Sequence, residues 1–514
     1  MIAEALAVRS RARQSRQETL PAPIRGLNAR DALENLKDGD AVRLDNLWPG
    51  FQEVELRGGY VEHATGIGSG DVETLATYEA GSVSKMLAAG DGEIADATGS
   101  GASTQLATGF SVNRWQTANF NGSMGWVNGT DAPQVYDGST VGAMTVSGTG
   151  LTVANLIGIN VFKSRTYFWE ANSQDFWYSA VNALGGALTK FPLSRVGQFG
   201  GNLVTMVTWT RDGGDGLDDL AVFVMSSGET IVYQGSDPGD SANWSLVGVF
   251  RIGSPVDIRA ALKVAGDVVI ATADGYASLA KALPVGRTAP RAQVSDRIVK
   301  AVVDQVRLQG GNFGWQIAFY PRKNMLIGNH PSTSSGEFNQ YVLNLATGAW
   351  ARFKGIPARQ FAVYDDDLYF AGAGGKTFKA DTGFNDDGAA IDAEGLTAYS
   401  YLKSRGRQKM MQAVRPVVSS DGTLPLSIDV EADFGVAVKA KNPVDLFPAD
   451  TGSAEWDVAE WDVDSWAGES LARDRWFDRG GLGYAFALRL RYSGSNRDFR
   501  WTAHSFLYEL TAGF

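Results

Sequence analysis

The sequence predicts an all-β protein, and three observations lead there. Glycine is abundant, at 61 residues against 16 prolines. Aromatic residues are plentiful, with 14 Trp, 25 Phe and 16 Tyr. A strand–turn–strand unit also recurs along most of the chain. Many glycines and aromatics with few helical patterns suit short strands joined by tight turns. The 514 residues can bury a large core and are enough for roughly two to four domains.

Residues 1–25 read as a flexible basic arm that carries Arg9, Arg11, Arg13 and Arg16 and ends at Pro21 and Pro23. Residues 26–69 read as a strand and loop segment leading into the repeats. Gly39, Pro49-Gly50 and Gly58-Gly59 supply its turns. From residue 70 to 385 the recurring unit dominates. Examples are YEAGSVSKMLAAGDGEIADATG (78–99), VFKSRTYFWEANSQDFWYSAV (161–181), KVAGDVVIATADGYASLAKAL (263–283) and YDDDLYFAGAGGKTFKADTG (364–383). Each pairs an apolar strand with a polar turn, a second strand and a Gly- or Asp-rich turn. Six or seven such units of about 30–50 residues predict the blades of a β-propeller, since a single sheet cannot bury both faces and a ring of sheets can. The repeats share no crisp signature, so unrelated meanders remain the competing architecture.

One segment departs from the pattern. SDRIVKAVVDQVRLQGG (295–311) has an N-cap candidate in Ser295, a stripe at Ile298, Val299, Val302, Val303 and Val306, and a closing Gly310-Gly311. This predicts a helix inserted between blades. Residues 386–514 read as an added C-terminal β-rich domain, with alternation at 426–430, 486–492 and 499–510. Within it Trp456, Trp461 and Trp466 recur every five residues. That spacing fits no single helix or strand face, so the three indoles read as anchors of an irregular loop. They could cover the domain's own core or dock on another subunit.

Several chemistries are excluded. With no cysteine there are no disulfides, thiol nucleophiles or thiolate-bound metals. Three histidines, His63, His330 and His504, sit in no catalytic motif. No nucleophile elbow, phosphate loop, zinc-protease motif or dinucleotide fingerprint is present. Glycoside-processing propellers use paired carboxylates near the axis, but 57 acids do not single out a pair. The turns 212–219 and 385–388 gather Asp, Asn and Gly, which suits calcium and equally suits an ordinary solvated turn. The expected protein is not an enzyme and carries no cofactor or metal. Net charge is −11, the reverse of a surface that grips nucleic acid. The Gly-, Ser- and Thr-studded stretch 138–162 is too polar to span a membrane, and the N-terminus lacks the apolar core of a secretion signal.

The segment PIRGLNARDALENLKDGDAVRLDNLWPGFQEVELRGGY (23–60) resembles the opening of a family of bacteriophage and prophage virion proteins. Further matches are RWQTANFNG, WTRDGGDGLDDLAVFVMSSGETIVYQGSDP, NFGWQIAFYPRKNMLI and YVLNLATGAWARF, so the resemblance covers most of residues 22–405. The family is similar to the tail nozzle, or tail tube, proteins of short-tailed phages, which stabilise packaged DNA. The resemblance implies a propeller-containing structural subunit of the virion tail, assembled in the host bacterial cytoplasm as a homo-oligomeric ring, commonly of six copies. Its implied partners are the tail adaptor and head-to-tail connector proteins and the tail fibres or spikes, with viral DNA passing as cargo that must not stick. No catalytic residue belongs to that picture. Six copies would bring roughly −66 charges to such a conduit, repelling phosphate over a screened range of about 10 Å. Cyclic rings use heterologous contacts. The interface candidates are therefore Arg9, Arg11, Arg13 and Arg16, the basic segment Lys403, Arg405, Arg407 and Lys409 (with Arg415), and Trp456, Trp461 and Trp466. The alternative is a propeller-based adhesin that binds a receptor or glycan. A glycan-cleaving enzyme ranks below both.

Overall fold

The computed structural model describes residues 15–212, 217–264, 266–285, 293–333, 336–422, 424–435, 444–445, 471–473 and 475–511. The chain divides into two compact units. One is Gly58–Ala389, and the other is built from the chain before and after it. The first unit is therefore an insertion in the second.

Gly58–Ala389 is a β-propeller with seven blades among the described residues. Blade 1 holds Val72–Ala80, Val83–Gly90, Glu93–Asp96 and Thr104–Thr108. Blades 2, 3 and 4 begin with Gln116–Phe120, Leu156–Phe162 and Leu203–Asp212, and each has four antiparallel strands. Blade 5 has three, Ala261–Val264, Asp267–Thr272 and Gly275–Ser278, with the helix Leu279–Val285 packed on it. Blade 6 runs from Gln316–Tyr320 to Ala349–Lys354, and blade 7 starts with Gln360–Tyr364. Each first strand lies beside the first strand of the next blade, and Gln360–Tyr364 returns to Val72–Ala80, which closes the ring.

Closure borrows a strand from the N-terminal side. Thr377–Ala380 of blade 7 pairs antiparallel with Tyr60–Thr65, in the register Thr377↔Ala64 and Ala380↔Tyr60. The Tyr60 ring meets Phe370 and Phe378 edge-on at 5.1 and 5.4 Å. The pairing fastens the two ends of the ring together across more than 300 residues of sequence, as the numbering shows.

Between neighbouring blades lie separate apolar layers. The layer between blades 3 and 4 is rich in aromatic rings, with Phe176 stacked on Phe223 at 4.6 Å and Trp244 on Tyr233 at 5.1 Å. Burying each such ring contributes roughly 1.5–3 kcal/mol. The close approach of facing sheets fixes Gly328 of blade 6, where a Cβ would run into the Tyr276 hydroxyl of blade 5, while within blade 3 a Cβ on Gly158 would run into its cross-strand partner Trp169.

A repeat signature emerges once the first strands are aligned. Thr74, Gln116, Gln316 and Gln360 occupy one position, followed two residues on by Ala76, Ala118, Ala318 and Ala362 and four on by Tyr78, Phe120, Tyr320 and Tyr364. At Thr74, Gln316 and Gln360 the leading side chain reaches the next blade's backbone. Gln316 donates to the Phe361 carbonyl at 2.9 Å and accepts from the Phe361 N–H at 2.7 Å. Gln360 accepts from the Leu75 N–H at 3.0 Å, and Thr74 from the Trp115 N–H at 2.8 Å. The small alanine permits that approach.

The predicted helix is present as Val299–Gln309 after a single turn at Asp296–Ile298, between blades 5 and 6. Ile298 and Val302 are buried, and the Gly310 N–H caps the Val306 carbonyl. Ser295 does not cap the helix with its side chain; its Oγ accepts the Tyr276 N–H at 2.8 Å instead.

The second unit contains two sheets. In one, Lys409–Ser420 and Phe499–Leu510 pair over most of their length, flanked by Phe477–Gly483 and Val54–Leu56. In the other, Asp40–Asp45, Ile391–Thr397, Phe486–Gly494 and Pro425–Ala432 lie side by side. The sheets meet at Gly395, where a Cβ would come within 2.8 Å of Trp501. Two expectations need correcting here. Residues 15–21 are not part of a flexible arm: Ser15–Pro21 is a strand paired with Phe499–Leu510, Ser15 opposite Glu509. Residues 26–57 do not lead into the propeller as a joining segment but build this unit, because Asp40–Asp45 needs Ile391–Thr397 as its partner. No described helix is long and apolar enough to cross a membrane.

Candidate functional site

In a propeller the first strands of all blades run the same way, so the residues just before them gather on one face. Here those positions carry Asp71 of blade 1, Arg114 of blade 2, Arg259 of blade 5, Phe313 before blade 6 and Arg359 of blade 7, and Glu73 joins them from the start of the first strand of blade 1. An open cleft of about 580 Å³ lies among Asp71, Glu73, Arg114, Asn312, Phe313, Thr333, Phe338 and Arg359.

The charges in the cleft are paired. Arg359 Nη2 lies 2.6 Å from Asp71 Oδ2, and Arg114 places Nε and Nη2 each 3.0 Å from Glu73 Oε1. Aromatic rings hold both guanidiniums, with Arg114 4.1 Å from the Phe313 centroid and Arg359 5.9 Å from that of Phe338. Asp71 and Arg114 are about half exposed, at 49% and 51% of their side chains, so both pairs are open to solvent.

Behind Phe313 lies Arg259, which the sequence reading passed over. It belongs to blade 5 yet donates to the Glu73 carbonyl at 2.8 Å and to Thr74 Oγ1 and the Trp115 carbonyl at 2.9 Å, in blades 1 and 2 on the far side of the ring. The side chain therefore crosses the propeller axis. Burial lowers its pKa to about 10, while Asp257 and Glu73 oppose the shift, so the guanidinium stays charged at neutral pH. Burial in turn pushes the Asp257 carboxyl up, with Arg259 opposing. The signal that could have found this site is an arginine just before a first strand, seen at Arg114-Trp115-Gln116, Arg259-Ala260-Ala261 and Arg359-Gln360-Phe361.

The predicted interface residues do not form one site. Lys409 is fully buried, and its Nζ donates to the carbonyls of Ser404, Arg407 and Tyr484 at 2.7, 2.9 and 2.7 Å. It is a structural lysine and not an interface residue: the loop needs three carbonyls satisfied, and burial lowers its pKa. Lys403 pairs with Glu18 at 2.6 Å, and Arg405 lies over the Tyr401 ring at 4.8 Å. Arg16 and Arg407 are exposed, and Arg415 lies 5.0 Å from the Trp476 ring centroid. Arg9, Arg11, Arg13, Trp456, Trp461 and Trp466 lie outside the described residues.

In the turn 385–388, Asn385 Oδ1 accepts the Gly388 N–H at 2.7 Å and Asp387 Oδ1 accepts the Glu62 N–H at 3.3 Å, so both side chains serve backbone donors. The tip of the other turn, 213–216, lies outside the described residues. Among the described residues no group of three or more His, Asp or Glu side chains is placed to hold a metal ion.

The chain belongs by architecture to the β-propeller proteins. No protein-family model matches the sequence, and no curated protein matches it. Similar solved structures include YCF48 from Cyanidioschyzon merolae, at 9% identity over 59% of this chain and 81% of that one, with a TM-score of 0.27. BBS1N, solved in complex with ARL6DN, is 10% identical over 64% of this chain and 99% of its own, with a TM-score of 0.39. An exo-beta-1,3-galactanase from Phanerochaete chrysosporium is 8% identical over 75% of this chain and 95% of its own, with a TM-score of 0.25. The likeness to each is one of fold alone.

Proposed function

We propose that the chain is a non-catalytic structural subunit of a short-tailed phage tail, a ring-forming nozzle component that helps retain packaged DNA and allows its ejection. The observation that carries this reading is the resemblance of residues 22–405 to that virion family. The architecture is compatible with it. Arg259 crosses the propeller's own axis, so in this reading the DNA passage lies between copies and not through a propeller. A net charge of −11 per copy suits a wall that must release phosphate. In the cleft, Asp71 and Glu73 each hydrogen-bond a guanidinium, an arrangement that suits recognition more than proton transfer. Mass photometry and electron microscopy of the purified full chain test the reading. Closed rings that match density in the virion tail are expected; a chain absent from purified virions would overturn it.

A second reading, a propeller-based glycan-binding adhesin of the tail, is favoured by the cleft itself. Its four charged groups converge from three blades on an open mouth. Binding of the full chain to a host-surface polysaccharide, measured by biolayer interferometry, would support it. Failure to bind any cell-surface glycan would remove it.

A further inference from the structure

Resting on that second reading, we infer that the cleft formed by Asp71, Glu73, Arg114 and Arg359 is the glycan site, and that it takes an uncharged oligosaccharide.

The argument starts from the charge balance. The cleft carries two carboxylates and two guanidiniums, and each carboxylate is already bound by one guanidinium. An anionic ligand would have to compete with Asp71 and Glu73 for the arginines. A cationic ligand would have to compete with the arginines for the acids. A neutral hydroxyl needs neither exchange, because it donates to a carboxylate oxygen and accepts from a guanidinium N–H at the same time. Adjacent hydroxyls of a pyranose present that alternation along a ring edge. Asn312 and Thr333 add further polar lining beside the pairs.

The groups are also held in place. Phe313 and Phe338 fix the planes of Arg114 and Arg359, and Arg359 is itself only 8% exposed. Fixed donors and acceptors reduce the entropy lost on binding. Arg259 and Phe313 close the axis behind the cleft, leaving a blind pocket rather than a through-channel. A volume of about 580 Å³ falls in the ordinary range for ligand sites, about 300–1,000 Å³, and suits two or three sugar units.

The test uses the full chain on a panel of neutral, sialylated and amino-sugar oligosaccharides, followed by calorimetry on the hits. Asp71→Asn and Arg114→Gln serve as variants, because both side chains are half exposed. The inference expects neutral hits, bound at least tenfold more weakly by each variant while its near-ultraviolet aromatic dichroism stays that of the parent, the sign of an intact ring. Neutral hits that both variants bind as the parent does would overturn the site and leave the adhesin reading standing. Hits confined to charged glycans would overturn the neutral class. No hit on the panel at millimolar concentration would overturn the site and the adhesin reading together.

Discussion

His330 and His504 are both buried, one in the propeller and one in the other unit. His330 stacks on Tyr341 at 4.9 Å and lies 5.6 Å from Trp315. Burial, aided by Arg352, lowers its pKa to about 4, and burial alone takes His504 to about 3. A free imidazole takes up its proton near 6.5. Between about pH 6.5 and 4, then, the unfolded chain binds protons that the folded chain refuses. Stability is complete above that window and falls as pH drops through it. His330→Gln should remove on the order of 3 kcal/mol of the propeller's pH dependence, checked by urea unfolding at pH 7.5 and 4.5. An equal drop in both proteins would refute the assignment. Backbone strain gives a second residue-scale test. Lys163 and Ser164 form the Phe162–Arg165 hairpin turn with φ of +45° and +60°, a region L side chains avoid. Ser164→Gly should raise stability by about 0.5–1 kcal/mol, read from the denaturant midpoint.

At the scale of elements, closure of blade 7 and the glutamine bonds between blades hold the ring. Tyr60→Ala removes the ring that touches Phe370 and Phe378 and should cost about 2–3 kcal/mol in chemical denaturation. Gln360→Ala, which leaves the Leu75 N–H without its acceptor, should cost about 1–2 kcal/mol. A loss below about 0.5 kcal/mol in either would show that the ring is held elsewhere. Elements with local chemistry could be read from sequence. Asp365 and Asp366 adopt φ of +49° and +61° and lead into Asp367–Ala371, as a hairpin there requires. The helix Val299–Gln309 follows from its apolar stripe and Gly310. Elements that depend on distant partners could not. The closure of blade 7 rests on Tyr60–Thr65 finding Thr377–Ala380, and no local pattern encodes that. Asp71, Arg114, Arg259 and Arg359 likewise lie far apart in sequence and meet only because the ring closes. Lys409 was misread because a lysine in a basic run looks solvated until its three carbonyl partners are known.

At the scale of the whole molecule, the propeller begins and ends at one blade. The Gly59 N–H donates to the Gly383 carbonyl at 2.9 Å and the Tyr60 N–H to the Asn385 carbonyl at 3.0 Å. An insertion whose ends meet this way should fold when excised, so residues 58–389 alone should unfold cooperatively and keep near-ultraviolet aromatic dichroism. A molten product would mean that the host unit is needed for closure. The central claim concerns assembly: a seven-bladed propeller, blocked on its own axis, repeated around a shared passage. Single-particle electron microscopy of the purified full chain, together with virions that contain it, addresses this most directly. The account expects closed rings of identical copies, each showing seven blades and no open axial hole, and the same ring resolved in the tail. Solitary monomers at every concentration examined, with no corresponding density in the virion, would contradict it.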